Sequence, residues 1–253
     1  MDENELVLRR TQMGMGFPAL ATGPGMEYRV EAGWWLGLMG VPSPDVNIAL
    51  LHQRDTSALA EILRRIAARG CPALVMLAGD GKSLVGELPD GWEPVGAMPM
   101  MAVALASTPT APDARVRLAA ARDVETLTDL VAESYAMARE IAAVAMGLAV
   151  VGGGTAMQTW LLEEDGQVVS TVSTCRIHDS VSVWMMGTPA RFGHRGHGRA
   201  LLAAVLDHAR NDGAKIGLLG ATPAGLPLYE ATGWRAVDDW QIFTNSPSAQ
   251  FSH

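Results

Sequence analysis

The chain has 253 residues, 49% of them hydrophobic and 18% charged, with a formal net charge of −8. This composition supports a packed core and excludes bulk disorder, and its length suits one large domain or two small ones. The acidic balance removes the overall field that draws proteins to nucleic acid or anionic lipid, so neither partner is expected.

The start, MDENELVLRR, is acidic and lacks the apolar core of a signal peptide, and no apolar run reaches the ~18 residues needed to span a bilayer. A cytoplasmic protein is therefore expected. Cys71 and Cys175 are the only cysteines and show no CxxC spacing, so they read as small buried hydrophobes rather than a disulfide or thiolate zinc site. His52, His178 and His208 lack ligand spacing and there is no HExxH, so no metal is implied.

In the first half, Trp34, Trp35 and the loop GVPSPDVN are candidate lining for a pocket. ALAEILRRIAARG reads as an amphipathic helix stopped by Gly70, and CPALVMLAG as a strand. KSLVGELPDGW and EPVGAMPMMAVALA then give a helix, a turn and another strand. The polar, proline-containing stretch STPTAPDA marks a boundary. It divides the chain into an N-terminal domain at 1–108, a linker at 109–114 and a second domain at 115–253.

The second half opens with a short strand in RVRLAAARD. Asp123 then caps a helix running to about Arg139, with Val124, Leu127, Leu130, Val131 and Ser134 on one face, and a helix pair ends near Gly147. The apolar stretch Ile141 to Val151 is closed by Gly152, Gly153 and Gly154 and is too short for a membrane. From Thr155 to Thr188, β-branched runs are separated by Asp165-Gly166 and His178-Asp179, which predicts a three-strand antiparallel meander. A helix follows from Gly198 to Asn211, stopped by Gly213. After it come a strand in KIGLLGAT, a helix in PAGLPLYEATG and a strand pair around Trp234 and Trp240 to Phe243. The halves close alike, GWEPV at 91–95 against GWRAV at 233–237, as an internal repeat would.

The segment TPARFGHRGHGRALL, residues 188–202, leaves a strand, passes three glycines and enters a helix. Glycines allow close backbone approach, and the unpaired N–H groups and dipole of a helix start favour an anion, so this is a phosphate cradle. His194, Arg195, His197 and Arg199 add donors and positive charge. A P-loop would end in Gly-Lys-Ser/Thr, which is absent. A dinucleotide fingerprint belongs to a parallel unit rather than after a meander.

These residues resemble the GCN5-related N-acetyltransferase (GNAT) superfamily, whose signature Gln/Arg-x-x-Gly-x-Gly/Ala holds the CoA pyrophosphate. One register takes Gly196 and Gly198 as the glycines, with Gly193 departing from Gln/Arg. The other uses Arg195, Gly198 and Ala200. Gly220 to Trp234, containing Leu228-Tyr229-Glu230, resembles a second GNAT stretch. The resemblance implies a mixed, mostly antiparallel α/β fold (α+β) flanked by helices, in a tandem arrangement with a degenerate first copy. It also implies acetyl-CoA as donor, held by Met185, Met186, Gly187, His194, Arg195, Gly196, His197, Gly198, Arg199, Ala200 and Thr222. Tyr229 would be the general acid for the leaving thiolate, with a phenol pKa near 10 suited to that transfer. Glu133, Glu140 and Glu163 are candidate bases, none singled out, whereas Glu230, next to Tyr229, points the other way on its helix.

The expected activity is acyl transfer to an amine of a small molecule, amino acid or peptide. The alternatives are a non-catalytic acyl-CoA-binding module and a binder of another nucleotide phosphate. The first half lacks a glycine-rich loop before its helix and is expected not to bind CoA. An exposed strand edge or the PMMAV strand leaves a homodimer open.

Overall fold

The computed structural model describes residues 1–152 and 157–246. In chain order its elements are helix α1 (Glu3–Gly14), strands β1 (Glu27–Glu31), β2 (Trp34–Leu38) and β3 (Asn47–Leu51), helix α2 (Thr56–Arg69), and strands β4 (Leu74–Leu77), β5 (Glu93–Ala104) and β6 (Val116–Leu118). Helices α3 (Val124–Ser134) and α4 (Arg139–Val151) follow, then strands β7 (Met157–Glu164), β8 (Gln167–Ile177) and β9 (Ser180–Gly187), helix α5 (His197–Asn211), strand β10 (Ile216–Gly220), helix α6 (Leu226–Ala231) and strand β11 (Arg235–Thr244). The fold is mixed α/β with mostly antiparallel strand pairs. Two units divide the chain: Met1–Met101 with the segment from Ala236, and Ala102–Arg235. Residues 109–114 lie inside the second unit.

The first unit orders its strands β1-β2-β3-β4-β11-β5. β1, β2 and β3 form an antiparallel meander, and α2 carries the chain from β3 to the parallel neighbour β4. Helix α2 turns Ala58, Leu59, Ile62 and Ile66 inward at helical spacing, against Leu36, Leu38, Ala49, Leu51, Val75, Leu77 and Phe243. Each such Leu or Ile contributes roughly 1.5–3 kcal/mol when fully buried. Gly70 ends α2 with φ +60, the left-handed cap that glycine adopts without strain. β11 lies antiparallel to β4 and buries Trp240 and Phe243. The strand pair expected near Trp234 and Trp240 is this single ten-residue strand.

Trp34 and Trp35 are core residues. Trp34 belongs to the packed cluster around α2, and Trp35 is fully buried with its indole N–H donating to the Arg10 carbonyl at 2.9 Å. The GVPSPDVN loop folds onto Asn47, whose side-chain amide donates to the carbonyls of Val41, Ser43 and Pro72.

The second unit orders its strands β10-β9-β8-β7-β6. The expected meander is present: Asp165 and Gly166 both take positive φ, +50 and +75, as a type I′ turn between β7 and β8 requires. Neighbouring β7 residues point to opposite faces. The Thr159 hydroxyl donates to the Ala149 carbonyl of α4, while the Trp160 ring meets His208 of α5 edge-on at 4.7 Å. Helix α3 stops at Ser134, short of Arg139, because Ala136 takes φ +47, and α4 restarts at Arg139 and runs past Gly147 to Val151. Asp123 does not cap α3; its carboxylate accepts from the Ala120 N–H and from Arg117, which holds its pKa down at about 2. Gly153 and Gly154 lie outside the described residues.

The units share a strand plan. β7, β8 and β9 form an antiparallel meander joined through α5 to parallel β10, as β1, β2 and β3 are joined through α2 to β4. Gly91 and Gly233, the glycines of the two GW pairs, take φ +91 and +90 ahead of β5 and β11.

Candidate active site

Strands β9 and β10 pair at Ile216↔Ser180, Gly217↔Val181 and Leu218↔Ser182, and the ladder ends there. Beyond that point β9 bulges. Three steps of β9 from Trp184 to Gly187 face two steps of β8 from Ser173 to Thr171, and Met185 takes φ +47. A non-glycine residue at positive φ in a strand turns its peptide groups out of the ladder. The Met186 carbonyl accepts from the Tyr135 hydroxyl at 3.0 Å, and the Gly187 carbonyl from Ser170, whose hydroxyl also meets Thr188 at 2.8 Å. Gly187 has no room for a side chain, since a Cβ there would sit 2.8 Å from Ser134 Oγ.

The loop from Thr188 leads into α5 through Gly196 at φ +82, where a left-handed residue aims the first helical turn outward. No side chain caps this helix, and its first backbone bond is Ala200 N–H to Gly196 carbonyl at 2.9 Å. The amides of His197, Gly198 and Arg199 precede that bond and have no backbone partner among the described residues. His194, Arg195 and Arg199 are exposed, and none has a side-chain partner among the described residues. His197 differs: its ring is buried, with Nε2 3.3 Å from Glu164, so only its main chain faces the loop. A Cβ on Gly198 would stand 3.2 Å from Thr188 Oγ1 and 3.3 Å from Met186 Cε, so a side chain there would make those two give way.

Across the cleft, Thr222 accepts the Gly225 and Leu226 amides and sets the turn that starts α6. That helix carries Tyr229, 7% exposed, packed edge-on against Trp234 at 5.9 Å. The Tyr229 hydroxyl donates to Met186 Sδ at 3.7 Å, and burial pushes its pKa up to about 12. Met186, Gly198, Thr188, Leu228 and Tyr229 therefore meet at one point, with the uncapped amides at one end and the phenol at the other. Tyr135, Ser134 and Ser170 were not legible as site residues, because their contacts span 17 to 53 positions and carry no local motif.

The corresponding place in the first unit is closed. β3 and β4 pair along their whole length, Ile48↔Leu74 to Leu51↔Leu77, and the Ala78 N–H continues the ladder to the Leu51 carbonyl at 3.0 Å. Asp55 caps α2 with its own carboxylate, accepting from the Ser57 and Ala58 amides at 2.9 and 3.0 Å. The Ser57 hydroxyl, which also donates to this carboxylate, and then the amides hold its pKa below the usual carboxylate value. A phosphate would meet a fixed negative charge there.

A family model described as an acetyltransferase (GNAT) domain matches residues 123–249. The chain belongs to the GNAT acetyltransferase family. Solved structures extend the likeness of fold beyond that match. A GCN5-related N-acetyltransferase from Kribbella flavida superposes with a TM-score of 0.67 at 16% identity, covering 95% of this chain and 96% of that one. One from Sphaerobacter thermophilus gives 0.56 at 15% identity, covering 85% and 77%. The N-myristoyltransferase of Saccharomyces cerevisiae, solved with bound myristoyl-CoA, gives 0.55 at 12% identity, covering 78% and 62%. No curated protein matches by sequence. Members of this family typically use an acyl-CoA donor.

Among the described residues no group of three or more His, Cys, Asp or Glu side chains could hold a metal, and no helix is long and apolar enough to cross a membrane. Cys71 and Cys175 are buried, and burial pushes the Cys175 thiol up to about 11, away from nucleophilic use.

Proposed function

We propose that the chain transfers an acetyl group from acetyl-CoA to a primary amine of a small molecule, amino acid or peptide, by direct attack of the amine on the thioester. The observation that carries this reading is the uncapped start of α5 at the mouth of the parted β9–β10 pair, with the Tyr229 hydroxyl at the inner end. In this reading the amides of residues 197–199 bind the pyrophosphate, helped by His194, Arg195 and Arg199, the Ala200 amide being taken by the Gly196 carbonyl, and the backbone of Met185 to Gly187 binds the pantetheine arm.

The neutral amine adds to the thioester carbonyl, the carbon–sulfur bond breaks, and Tyr229 gives its proton to the departing thiolate. The buried phenol keeps its proton at neutral pH, while a pKa of about 12 makes it a weaker acid than an exposed phenol. The Arg117 guanidinium holds the Glu163 carboxyl below its ordinary value, and Glu133 is paired with Arg191, so neither is a ready base. The amine proton leaves through water.

We read the first unit as a second, degenerate copy of the same plan that does not bind CoA. Its closed strand pair and its Asp55 cap support this. The boundary at residues 109–114 belongs to this reading. Thiol release from acetyl-CoA with a panel of amines, run on the wild-type protein and on Tyr229→Phe, tests it. The expected result is a loss in kcat of about 10²-fold or more with the acetyl-CoA Kd within about threefold. Equal turnover in the two proteins would remove Tyr229 as the acid, and turnover in neither would leave an acyl-CoA-binding module.

A further inference from the structure

The Met186 side chain lies between the head of α5 and Tyr229, in the corridor where the proposed donor would pass. Its Cε is 3.3 Å from where a Cβ on Gly198 would stand, at the start of α5, and its Sδ is 3.7 Å from the Tyr229 hydroxyl on α6. Leu228 Cδ2, 3.7 Å from the same Cβ position, bounds the corridor. An arm joining a pyrophosphate on the α5 amides to a thioester sulfur beside Tyr229 runs through the volume that this thioether fills. The contact is also chemically matched, because a divalent sulfur accepts the Tyr229 proton where the donor's sulfur would accept it.

We propose that Met186 determines which acyl donors the cleft admits. Its thioether holds the sulfur position against Tyr229 in the ligand-free chain and, once displaced, takes up space beside the acyl group, so that acetyl fits and long acyl chains do not. The inference rests on the donor reading of the same cleft. Methionine suits this role: it is unbranched, has three rotatable side-chain bonds and yields without disturbing the backbone. Its neighbours cannot yield in the same way. Tyr229 is packed against Trp234, and Gly198 is fixed in the first turn of α5.

The test measures binding of acetyl-CoA and octanoyl-CoA by calorimetry to the full chain and to Met186→Ala, Met186→Leu and Met186→Phe. Met186→Ala is expected to shift the ratio of the two dissociation constants toward octanoyl-CoA by at least about tenfold, because three heavy atoms leave the corridor. Met186→Leu, which keeps the bulk, is expected to hold the ratio within about twofold, and Met186→Phe to weaken both donors. A protein labelled with 13C at its methionine methyl groups supplies a readout independent of acyl length. The methyl signal absent from Met186→Leu is expected to move when acetyl-CoA is added to the wild-type protein. Intact acetyl-CoA binding with an unshifted ratio in Met186→Ala, or with that methyl signal unmoved, overturns the role of Met186 alone. Failure of the wild-type chain to bind any CoA thioester overturns the donor reading and this inference together.

Discussion

Tyr229 can act as an acid only where its proton is still present. Burial raises its pKa to about 12, so the donating form is present below that value and is lost only as pH rises through it. Turnover is therefore expected to show no falling alkaline limb from this group between pH 8 and 10, which a kcat–pH profile at saturating acetyl-CoA checks. His52 poses the opposite case. Its ring is 2% exposed, and neither nitrogen has a hydrogen-bond partner among the described side chains. Burial, followed by the nearby Arg10 guanidinium, lowers its pKa to about 4, against the opposing pull of Asp238 and Glu3. The native state thus refuses a proton that the unfolded chain accepts near pH 6.5. Its stabilising contribution is complete above that value and falls by about 1.4 kcal/mol per unit as pH drops toward 4. Denaturant melts at pH 7 and pH 5 are expected to differ by about 2 kcal/mol from this group, and His52→Leu to flatten the slope. Although burial pushes the Asp238 carboxyl up, bonding to Arg10 holds it below its ordinary value, so its loss belongs to a more acidic window.

At the scale of elements, what was legible is what local chemistry decides. The Asp165-Gly166 turn, the stop of α2 at Gly70 and the stop of α5 before Gly213 follow from residues that tolerate positive φ, and the structure uses each one. The cradle was legible for the same reason, since its glycines and its helix start are contiguous. What was not legible depends on partners distant in the chain. Asp123 has the right identity and position for a cap, but Arg117 claims its carboxylate. Nothing in Trp240 to Thr244 announces β4 as a neighbour, because a strand's partner is set by packing rather than by its own residues. Likewise, Trp34-Trp35 cannot be told from an exposed aromatic pair until the Arg10 carbonyl is placed against it. β11 is thus an integral part of the first unit. Trp240 is 1% exposed and donates to Asp238, which in turn holds Arg10 of α1. Trp240→Ala is expected to cost about 3–5 kcal/mol in denaturant unfolding, and a chain ending at Arg235 to lose its cooperative transition. An unchanged melt for that truncation would contradict the assignment of β11.

At the scale of the whole molecule, one strand plan occurs twice with opposite outcomes. In the second unit a bulge at Met185 and a short parallel ladder leave β9 and β10 apart, and a glycine at the head of α5 leaves its amides uncapped. In the first, the ladder runs to its end and an aspartate fills the helix start. The chain is therefore expected to bind one donor, not two, and to bind it at residues 197–199. Calorimetric titration of the full chain with acetyl-CoA, alongside ATP and NAD, on wild type and on Gly198→Val tests this most directly. The account predicts saturable binding of one acetyl-CoA per chain, no competition by ATP or NAD, and loss of binding in Gly198→Val, where the added side chain meets Thr188 and Met186. Two equivalents per chain, undiminished binding in Gly198→Val, or no binding of acetyl-CoA at all would contradict it.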